Sequence, residues 1–390
     1  MMKAALSLLA LAHVHAFSLQ MSGSALIVQN KGGGHGELGY QLAKKLSSDS
    51  YSTKVSSITI LQDDACNDEK EPFCSYASGF GDKVNVIKAD INSMGDLEEL
   101  KSKLGGENFD YVFDNYSKKP EGAGKAICDA AKEWGTKVFT YISSAGMYQT
   151  DESTEFPMAE STPVKEGAGQ HLFDQYAIEI GLPLVSFRPQ YIYGPKANKY
   201  DYIDWYFDRL VRDLPLPIPN DGNQLVSLTN SEDVASLLAC VIDEPDAATE
   251  QRFFNCGTDK LYSYNDIAFM CAEVAGIEKD KVQFEHFDPN NYDKTPFPFR
   301  PSNFYVSPDM AKSKLGWAGS KSSLTDDLSW YYDGYVARGG PTKSMKGKLG
   351  SDKEVCFLSK TTLDDGAGSV WDEFDPLEID VAEFKSLVEG

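Results

Sequence analysis

Residues 25–39 read ALIVQNKGGGHGELG, an apolar run that passes directly into a glycine-rich turn. The turn satisfies G-x-G-x-x-G and, in a second register, G-x-x-G-x-x-G. The glycines with this spacing are Gly33, Gly34, Gly36 and Gly39. Such glycines permit a tight turn and a close approach of the backbone to a pyrophosphate. The helix that the pattern predicts from Leu38 to Leu46 points its free N–H groups at that anion. The stretch therefore predicts a nucleotide-binding fold.

Short apolar strands alternate with helices through the first half of the chain. The predicted strands are 25–29, 56–61, 84–88, 111–114, 138–143 and 184–188. The predicted helices are 38–46, 94–104, 122–133 and 167–180. This alternation is typical of a parallel sheet with helices on both faces. We therefore predict an α/β fold, a Rossmann-type doubly wound parallel sheet with a smaller C-terminal lobe.

Composition divides the chain into five segments. Residues 1–16 have an early lysine, an apolar stretch and a small-residue end, which is typical of a signal peptide. Residues 17–23 follow as a short, acid-free, transit-like segment. This N-terminus predicts either bipartite plastid targeting or simple secretion. Residues 24–195 form the predicted dinucleotide-binding lobe, 196–340 the smaller lobe, and 341–390 an acidic extension of unread function.

The chain has 390 residues, and its 59 acidic and 37 basic side chains give a formal net charge of −22. This negative charge excludes the class of generally basic proteins that coat nucleic acid, because long-range repulsion opposes binding to phosphates. A polyanionic partner therefore requires a locally basic surface or divalent cations. No long apolar run follows the N-terminus, so we predict no membrane span in the mature protein. The seven cysteines are odd in number and scattered along the chain, which argues against a disulfide framework, and none of them has C-x-x-C spacing.

Polar landmarks follow the predicted strands. Asp90 comes after the third strand, in position to contact an adenine ring. Asp114 and Asn115 end the fourth strand, and Ser143 ends the fifth, where a substrate-binding Ser or Thr belongs. Residues 188–195 read RPQYIYGP, which satisfies R-P-x-x-x-Y-G-P. With the glycine turn, these residues resemble the extended short-chain dehydrogenases and sugar-nucleotide epimerases, and the resemblance implies an NAD(P) site.

The catalytic pair of that class is missing from the sequence. Hydride transfer there needs a tyrosine as general acid/base and a lysine four residues later that lowers the tyrosine pKa. The expected positions hold Glu166 and Gln170. Glu166 has no phenolic proton to transfer and Gln170 carries no charge. No Tyr-x-x-x-Lys occurs between residues 141 and 200, so the sequence leaves open whether the chain is an enzyme.

Acidic residues weaken the expected cofactor site. Glu37 lies inside the glycine turn, where an apolar residue is usual, and its charge suits the helix dipole but repels a pyrophosphate. Asp63 or Asp64 falls near the end of the second strand, where a ribose-binding acid favours NAD over NADP. Both also belong to an acid-rich loop, and a solvated surface is the favoured interpretation. The sequence predicts a vestigial NAD(P) site.

Six longer strings carry a more specific resemblance. They stand at residues 33–35 (GGH), 186–191 (SFRPQY), 205–213 (WYFDRLVRD), 217–219 (PIP), 254–256 (FNC) and 315–317 (LGW). They resemble the chloroplast stem-loop binding proteins, over about residues 24–340. The resemblance implies a plastid protein without the Tyr/Lys pair that binds RNA stem-loops and acts in the stability or processing of plastid mRNA and ribosomal RNA. It also implies Mg²⁺-dependent endoribonuclease activity. The chain departs from the family at Gln170, which replaces a histidine.

A predicted helix at 202–211 offers one candidate RNA contact. Trp205, Arg209 and Arg212 fall together opposite its apolar face, an arrangement that can stack an unpaired base and hold its phosphates. The alternative is a tryptophan packed against the other lobe, with the arginines paired to neighbouring aspartates. General burial tendencies favour that alternative.

Lys118 and Lys119 offer a second candidate contact. They follow the fourth strand near the predicted cofactor edge, where they can hold phosphates. The alternative is an ordinary solvated loop.

Three functions are consistent with the sequence. The first is a plastid RNA stem-loop binding protein, with plastid ribosomes or transcription complexes as larger partners and with self-association into a homo-oligomer. The second is an NAD-dependent sugar-nucleotide epimerase or dehydratase that uses another acid/base, Tyr148 or Glu166. The third is a non-catalytic dinucleotide-sensing scaffold. We predict the first.

Overall fold

The computed structural model describes residues 22–32, 36–94, 96–292, 296–345, 348, 349, 352, 355, 381 and 382. The predicted signal peptide lies outside these residues. So do Gly33 and Gly34 of the glycine turn and most of the acidic extension.

A seven-stranded sheet, parallel throughout, forms the centre of the molecule. Its strands are β1 (Gly23–Gln29), β2 (Val55–Asp63), β3 (Asn85–Ala89), β4 (Tyr111–Asn115), β5 (Val138–Ile142), β6 (Leu184–Pro189) and β11 (Phe253–Cys256). Their order across the sheet is β11-β6-β5-β4-β1-β2-β3. The chain winds outward from β1 in one direction and from β4 in the other. Because the order reverses between β1 and β4, a crevice opens there at the carboxyl ends of the strands.

Helices cover both faces of the sheet. The helices are α1 (Gly36–Leu46), α2 (Tyr76–Phe80), α3 (Leu97–Lys103), α4 (Ala123–Trp134), α5 (Gly169–Glu179), α6 (Asp201–Leu210), α7 (Ser231–Asp243), α8 (Pro245–Gln251), α9 (Tyr264–Val274), α10 (Asp309–Leu315) and α11 (Leu324–Ala337). Ala25 and Ile27 of β1 belong to the core under α1 and α7. Leu26 and Val28 belong to the core under α3, α4 and α5. The alternation follows from the two-residue repeat of a strand, and a strand buried on both faces is apolar throughout.

A third core, rich in aromatic side chains, lies among α6, α9 and α11. Short strands complete this part of the chain. They are β7 (Ile192–Tyr193), β8 (Leu216–Pro219), β9 (Leu225–Val226), β10 (Thr229–Asn230), β12 (Tyr262–Ser263) and β13 (Phe284–Phe287). Ile203, Tyr206, Phe207 and Leu210 form the buried apolar stripe of α6 that the sequence predicts. Within the described residues, no helix combines the length and apolarity needed to cross a bilayer.

The predicted fold class is confirmed. All six predicted strands and all four predicted helices are present, with bounds that differ by a few residues. Helix α3 begins three residues late because the Asp96 side chain caps it by accepting from the backbone N–H of Glu99 at 2.9 Å. The sequence did not predict β11, which pairs with β6 and completes the sheet. The division of the chain at residue 195 stays a prediction, since residues beyond it return to the first lobe.

Candidate nucleotide-binding site

A cavity of about 690 Å³ lies at the carboxyl edge of the sheet, over the ends of β1, β2 and β4. Its described lining residues are Asn30, Lys31, Gly32, Asp63, Asn92, Tyr116, Ser117, Lys118, Lys119, Glu121, Gly122, Ala123 and Gly124. They come from the strand ends, from the loop after β4 and from the first turn of α4. The cavity therefore occupies the crevice that the strand order creates.

Side-chain amides tie the ends of β1 and β4 together beneath this cavity. Asn30 Nδ2 donates to the carbonyl of Asn115 at 2.8 Å, and Asn115 Nδ2 donates to Gln29 Oε1 at 3.0 Å. Gln29 Nε2 donates to the carbonyl of Gly36 at 2.8 Å. A Cβ atom on Gly39 would stand 1.8 Å from Gln29 Oε1. Gly39 is therefore required for close packing of α1 on β1.

Asp63 is buried at the end of β2, with 3% of its surface exposed, and it lines the cavity. The expectation of a solvated acid is wrong for Asp63 and correct for Asp64, which is exposed. One oxygen of Asp63 accepts from the backbone N–H of Ala65 at 3.0 Å. Its place at the tip of β2 is that of an acid that accepts ribose hydroxyls.

Asp90 follows β3 as predicted but is not among the described residues that line the cavity, and its contact with an adenine ring stays a prediction. It is exposed and caps a short turn by accepting from the backbone N–H of Ser93. Asn92, two residues later, lines the cavity instead, and its Oδ1 accepts from the hydroxyl of Tyr116 at 2.7 Å. The sequence analysis did not single out Asn92, because the turn after β3 places this amide, and not the Asp90 carboxylate, on the cavity lining. It did not single out Tyr116 after β4 either.

Lys118 and Lys119 line the cavity as exposed side chains, as their position after β4 predicted. Lys31 is a third lysine on the lining. Asp114 shapes the loop that carries the pair. Its Oδ1 accepts from the backbone N–H groups of Tyr116 and Ser117, each at 2.9 Å, and burial raises the pKa of its carboxyl group. Two acids share the lining with the lysines, Asp63 and Glu121, and Glu121 stands 3.8 Å from Lys119.

Glu37 is buried in the first turn of α1 and is not among the lining residues. Its Oε1 accepts from Gln41 Nε2 at 2.8 Å and from the backbone N–H of Lys196 at 2.9 Å. Its Oε2 lies near Ser231 with no hydrogen bond of acceptable geometry. Burial raises the pKa of the Glu37 carboxyl group to about 7. The expected repulsion of a pyrophosphate is therefore weaker than the sequence suggests, because the carboxyl group is partly neutral at pH 7 and is directed elsewhere.

Tyr148, one of the two acid/base candidates of the epimerase interpretation, is enclosed in the protein. Tyr148 is fully buried, where its hydroxyl donates to Asn255 Oδ1 at 2.7 Å and accepts from Arg188 Nη1 at 2.9 Å. Burial raises the pKa of this phenol to about 12. Ser143 is also buried and donates to the sulfur of Met147 at 3.4 Å. Tyr148 therefore does not fit the acid/base role that the epimerase interpretation considered for it.

The side chains at the two positions where the tyrosine and the lysine are expected both reach solvent. Glu166 is exposed and Gln170 is half-buried at the start of α5. Within the described part of the chain, no three His, Cys, Asp or Glu side chains are grouped so as to hold a metal ion. The residues thus fit the adenosine side of a dinucleotide at Asp63, but they do not supply the catalytic groups of hydride transfer.

On α6 the structure shows the packed alternative that the sequence analysis favoured, and Trp205 and Arg209 form no exposed platform. Trp205 is 7% exposed and donates from Nε1 to the carbonyl of Pro296 at 2.6 Å. Arg209 is 3% exposed and pairs with Asp352, a partner that the sequence did not indicate. Arg212 donates to the backbone carbonyl of Asp208. The reason is tertiary, because the chain after α11 returns across this face of α6.

Comparison with known proteins agrees with this architecture. The chain matches the NAD dependent epimerase/dehydratase family over residues 32–257. It is 31% identical to the chloroplast stem-loop binding protein of 41 kDa b of Arabidopsis thaliana over 266 residues, which cover 67% of each protein. It is 25% identical over 220 residues to the trifunctional UDP-glucose 4,6-dehydratase/epimerase/reductase RHM3 of the same plant, covering 53% of this chain and 31% of that enzyme.

A solved structure shows the same fold. The dTDP-glucose 4,6-dehydratase of Bacillus anthracis, determined in complex with NAD, superposes with a TM-score of 0.61 at 15% identity, over 80% of this chain and 98% of that one. The family match covers more than half of the chain, and the stem-loop binding relative confirms the resemblance that the longer strings predicted. The chain belongs to the NAD dependent epimerase/dehydratase family, and within it to the group of the chloroplast stem-loop binding proteins.

Proposed function

We propose that this protein binds RNA stem-loops in the plastid, on an epimerase scaffold that has lost hydride transfer. The observation that carries the proposal is the cavity at the carboxyl edge of the sheet, which is large enough for a nucleotide and is lined by three lysines. The name of the 31% identical relative, a chloroplast stem-loop binding protein, supports both the RNA partner and the location.

The cavity offers the groups that an unpaired nucleotide requires. Lys118 and Lys119 are exposed on the rim, where they can neutralise backbone phosphates, and Tyr116 presents a half-buried ring for stacking. Asp63 can accept ribose hydroxyls from within. A protein with a net charge of −22 needs such a locally basic surface to overcome long-range repulsion.

Binding to a labelled stem-loop across a salt series tests the proposal. The double variant Lys118→Gln/Lys119→Gln removes two candidate phosphate contacts. Each lost contact with single-stranded RNA is expected to reduce the log–log salt slope by about 0.7. The matched control is Lys279→Gln/Lys281→Gln, which changes the net charge equally at exposed lysines of the other lobe. Equal affinities for the two double variants would contradict the cavity as the RNA site.

The family resemblance also supports metal-dependent cleavage of RNA. The same binding reactions with Mg²⁺ or with EDTA test it. Products that appear with Mg²⁺ and are absent with EDTA indicate an endoribonuclease. Intact RNA in both conditions, together with binding, indicates a protein that only binds.

A second candidate is NAD-dependent turnover of a sugar nucleotide, which Asp63 favours by its place at the tip of β2. A vestigial NAD(P) site is our interpretation, since the adenosine side is kept and Tyr148 is enclosed. Titration with NAD and with NADP, followed by UDP- and dTDP-sugars, separates the two functions. Turnover without RNA binding would establish the enzyme.

The plastid location is tested separately. A fusion of the full chain to a C-terminal fluorescent protein is expected to accumulate in plastids. Fluorescence confined to the secretory pathway would overturn this part of the proposal.

A further inference from the structure

The chain after α11 crosses back over α6. We call residues 340–345 with 348, 349, 352 and 355 the C-terminal strap. Arg212 Nη2 donates to the carbonyls of Gly340 and Lys343, at 2.7 and 2.9 Å. Met345 and Leu349 are buried. The strap is therefore seated on α6 by backbone hydrogen bonds and apolar contacts.

One ion pair joins the strap to the centre of α6. Arg209 donates from Nε to Asp352 Oδ2 and from Nη2 to Asp352 Oδ1, both at 2.7 Å. The guanidinium carbon stands 4.0 Å from the ring centroid of Trp205. This planar, two-bonded geometry suits a carboxylate and a phosphate equally well. Asp352 thus fills a position that a phosphodiester can also fill.

A cavity of about 540 Å³ gives access to this pair. It is lined by Trp205 and Arg209, and by the amino groups of Lys199, Lys343 and Lys348. The acids that face it are Asp201, Asp204 and Asp208. Each of the three acids already has cationic partners. Lys199 stands 3.7 Å from Asp201, Arg338 3.0 Å from Asp204, and Lys343 2.7 Å from Asp208.

We propose that Arg209 and Trp205 form a second RNA phosphate site, and that Asp352 occupies it from within the same chain until RNA displaces the strap. The inference rests on the proposed RNA function and adds its regulation. Exchange of a carboxylate for a phosphate keeps both hydrogen bonds of Arg209, so the buried guanidinium is never left unpaired. Asp352 itself is a negative charge at this position and opposes the approach of a phosphate while the strap is in place.

RNA affinity of the full chain tests the strap. Asp352→Asn removes the competing charge at nearly constant shape, and RNA affinity is expected to rise about five- to tenfold, the range of a modest coupling between sites. Adding Arg209→Gln to Asp352→Asn is expected to abolish the gain. The control is Asp259→Asn, which removes the same charge from the exposed ion pair with Lys312 and is expected to leave affinity unchanged.

The outcomes separate the strap from the RNA function itself. If the wild-type protein binds RNA and Asp352→Asn binds no tighter, the strap has only a structural role and the inference fails. If neither binds RNA at low salt, the proposed function fails with it. A measurement on the wild-type protein is independent of any folding defect in the variants. RNA is expected to accelerate tryptic cleavage after Lys348, and an unchanged rate of cleavage would overturn the inference.

Discussion

Replacing Glu37 by glutamine is expected to stabilise the protein above pH 7 and to have little effect near pH 5. Burial raises the pKa of this carboxyl group from 4.5 to about 7. Between pH 4.5 and about pH 7 the Glu37 carboxyl group is protonated in the folded protein and ionised in the unfolded chain. The free energy of unfolding therefore falls as the pH rises through this window, and it levels off above the folded-state pKa.

The magnitude follows from the same two pKa values. Each unit of pKa corresponds to about 1.4 kcal/mol, so ionisation of the buried carboxyl group costs the folded state about 3 kcal/mol at pH 8. Glutamine retains an oxygen that can accept from Gln41 and from the backbone of Lys196, and its amide can donate to Ser231. The Glu37→Gln variant therefore keeps the contacts and loses the charge.

Urea denaturation of the wild-type and variant proteins at pH 5 and pH 8 measures this effect. The variant is expected to gain about 2.5 kcal/mol relative to wild type between the two pH values, because pH 5 already lies about half a unit above the unfolded-state pKa and all other titrating groups cancel in the difference. Glu232→Gln is the matched control, because Glu232 is the exposed acid next to this site and its side chain is half exposed. A difference between variant and wild type that is the same at both pH values would refute the reasoning.

Three other changes test the packing around the candidate site. Tyr148→Phe removes a hydroxyl with two buried partners and is expected to cost about 1–3 kcal/mol of unfolding free energy, measured by urea denaturation, without loss of RNA affinity. Asp174→Asn is expected to stabilise the protein more strongly at pH 8 than at pH 5, because burial raises the pKa of Asp174 from 3.8 to about 7 and neither oxygen has a well-formed hydrogen bond. Gly39→Ala is expected to lower the unfolding midpoint through its clash with Gln29, and Gln29→Ala in the same chain should recover part of the loss.

The strands of the sheet were predictable because their apolar runs are short and separated by polar turns. The lysine pair on the cavity rim was predictable for a related reason. Residues that follow parallel strands gather at one edge, so Lys118 and Lys119 come close to the end of β1 although the two segments are far apart in sequence. The exchange of Asp90 for Asn92 was not predictable, since it depends on how a single turn closes after β3.

Residue type and spacing were enough to establish a doubly wound sheet, a nucleotide-type crevice and the absence of the Tyr/Lys pair. These properties depend on local periodicity and on which side chains are present. Which side chains are buried, and which partners they contact, is decided only in the folded chain. Asp63 and Asp64 are neighbours of the same type, but Asp63 is the buried last residue of β2 and Asp64 is exposed in the turn that follows. Arg209 meets Asp352 across 143 positions, a contact that no periodicity within α6 encodes. Desolvation and long-range pairing depend on which residues are neighbours in space, and the linear order of the residues does not specify those neighbours.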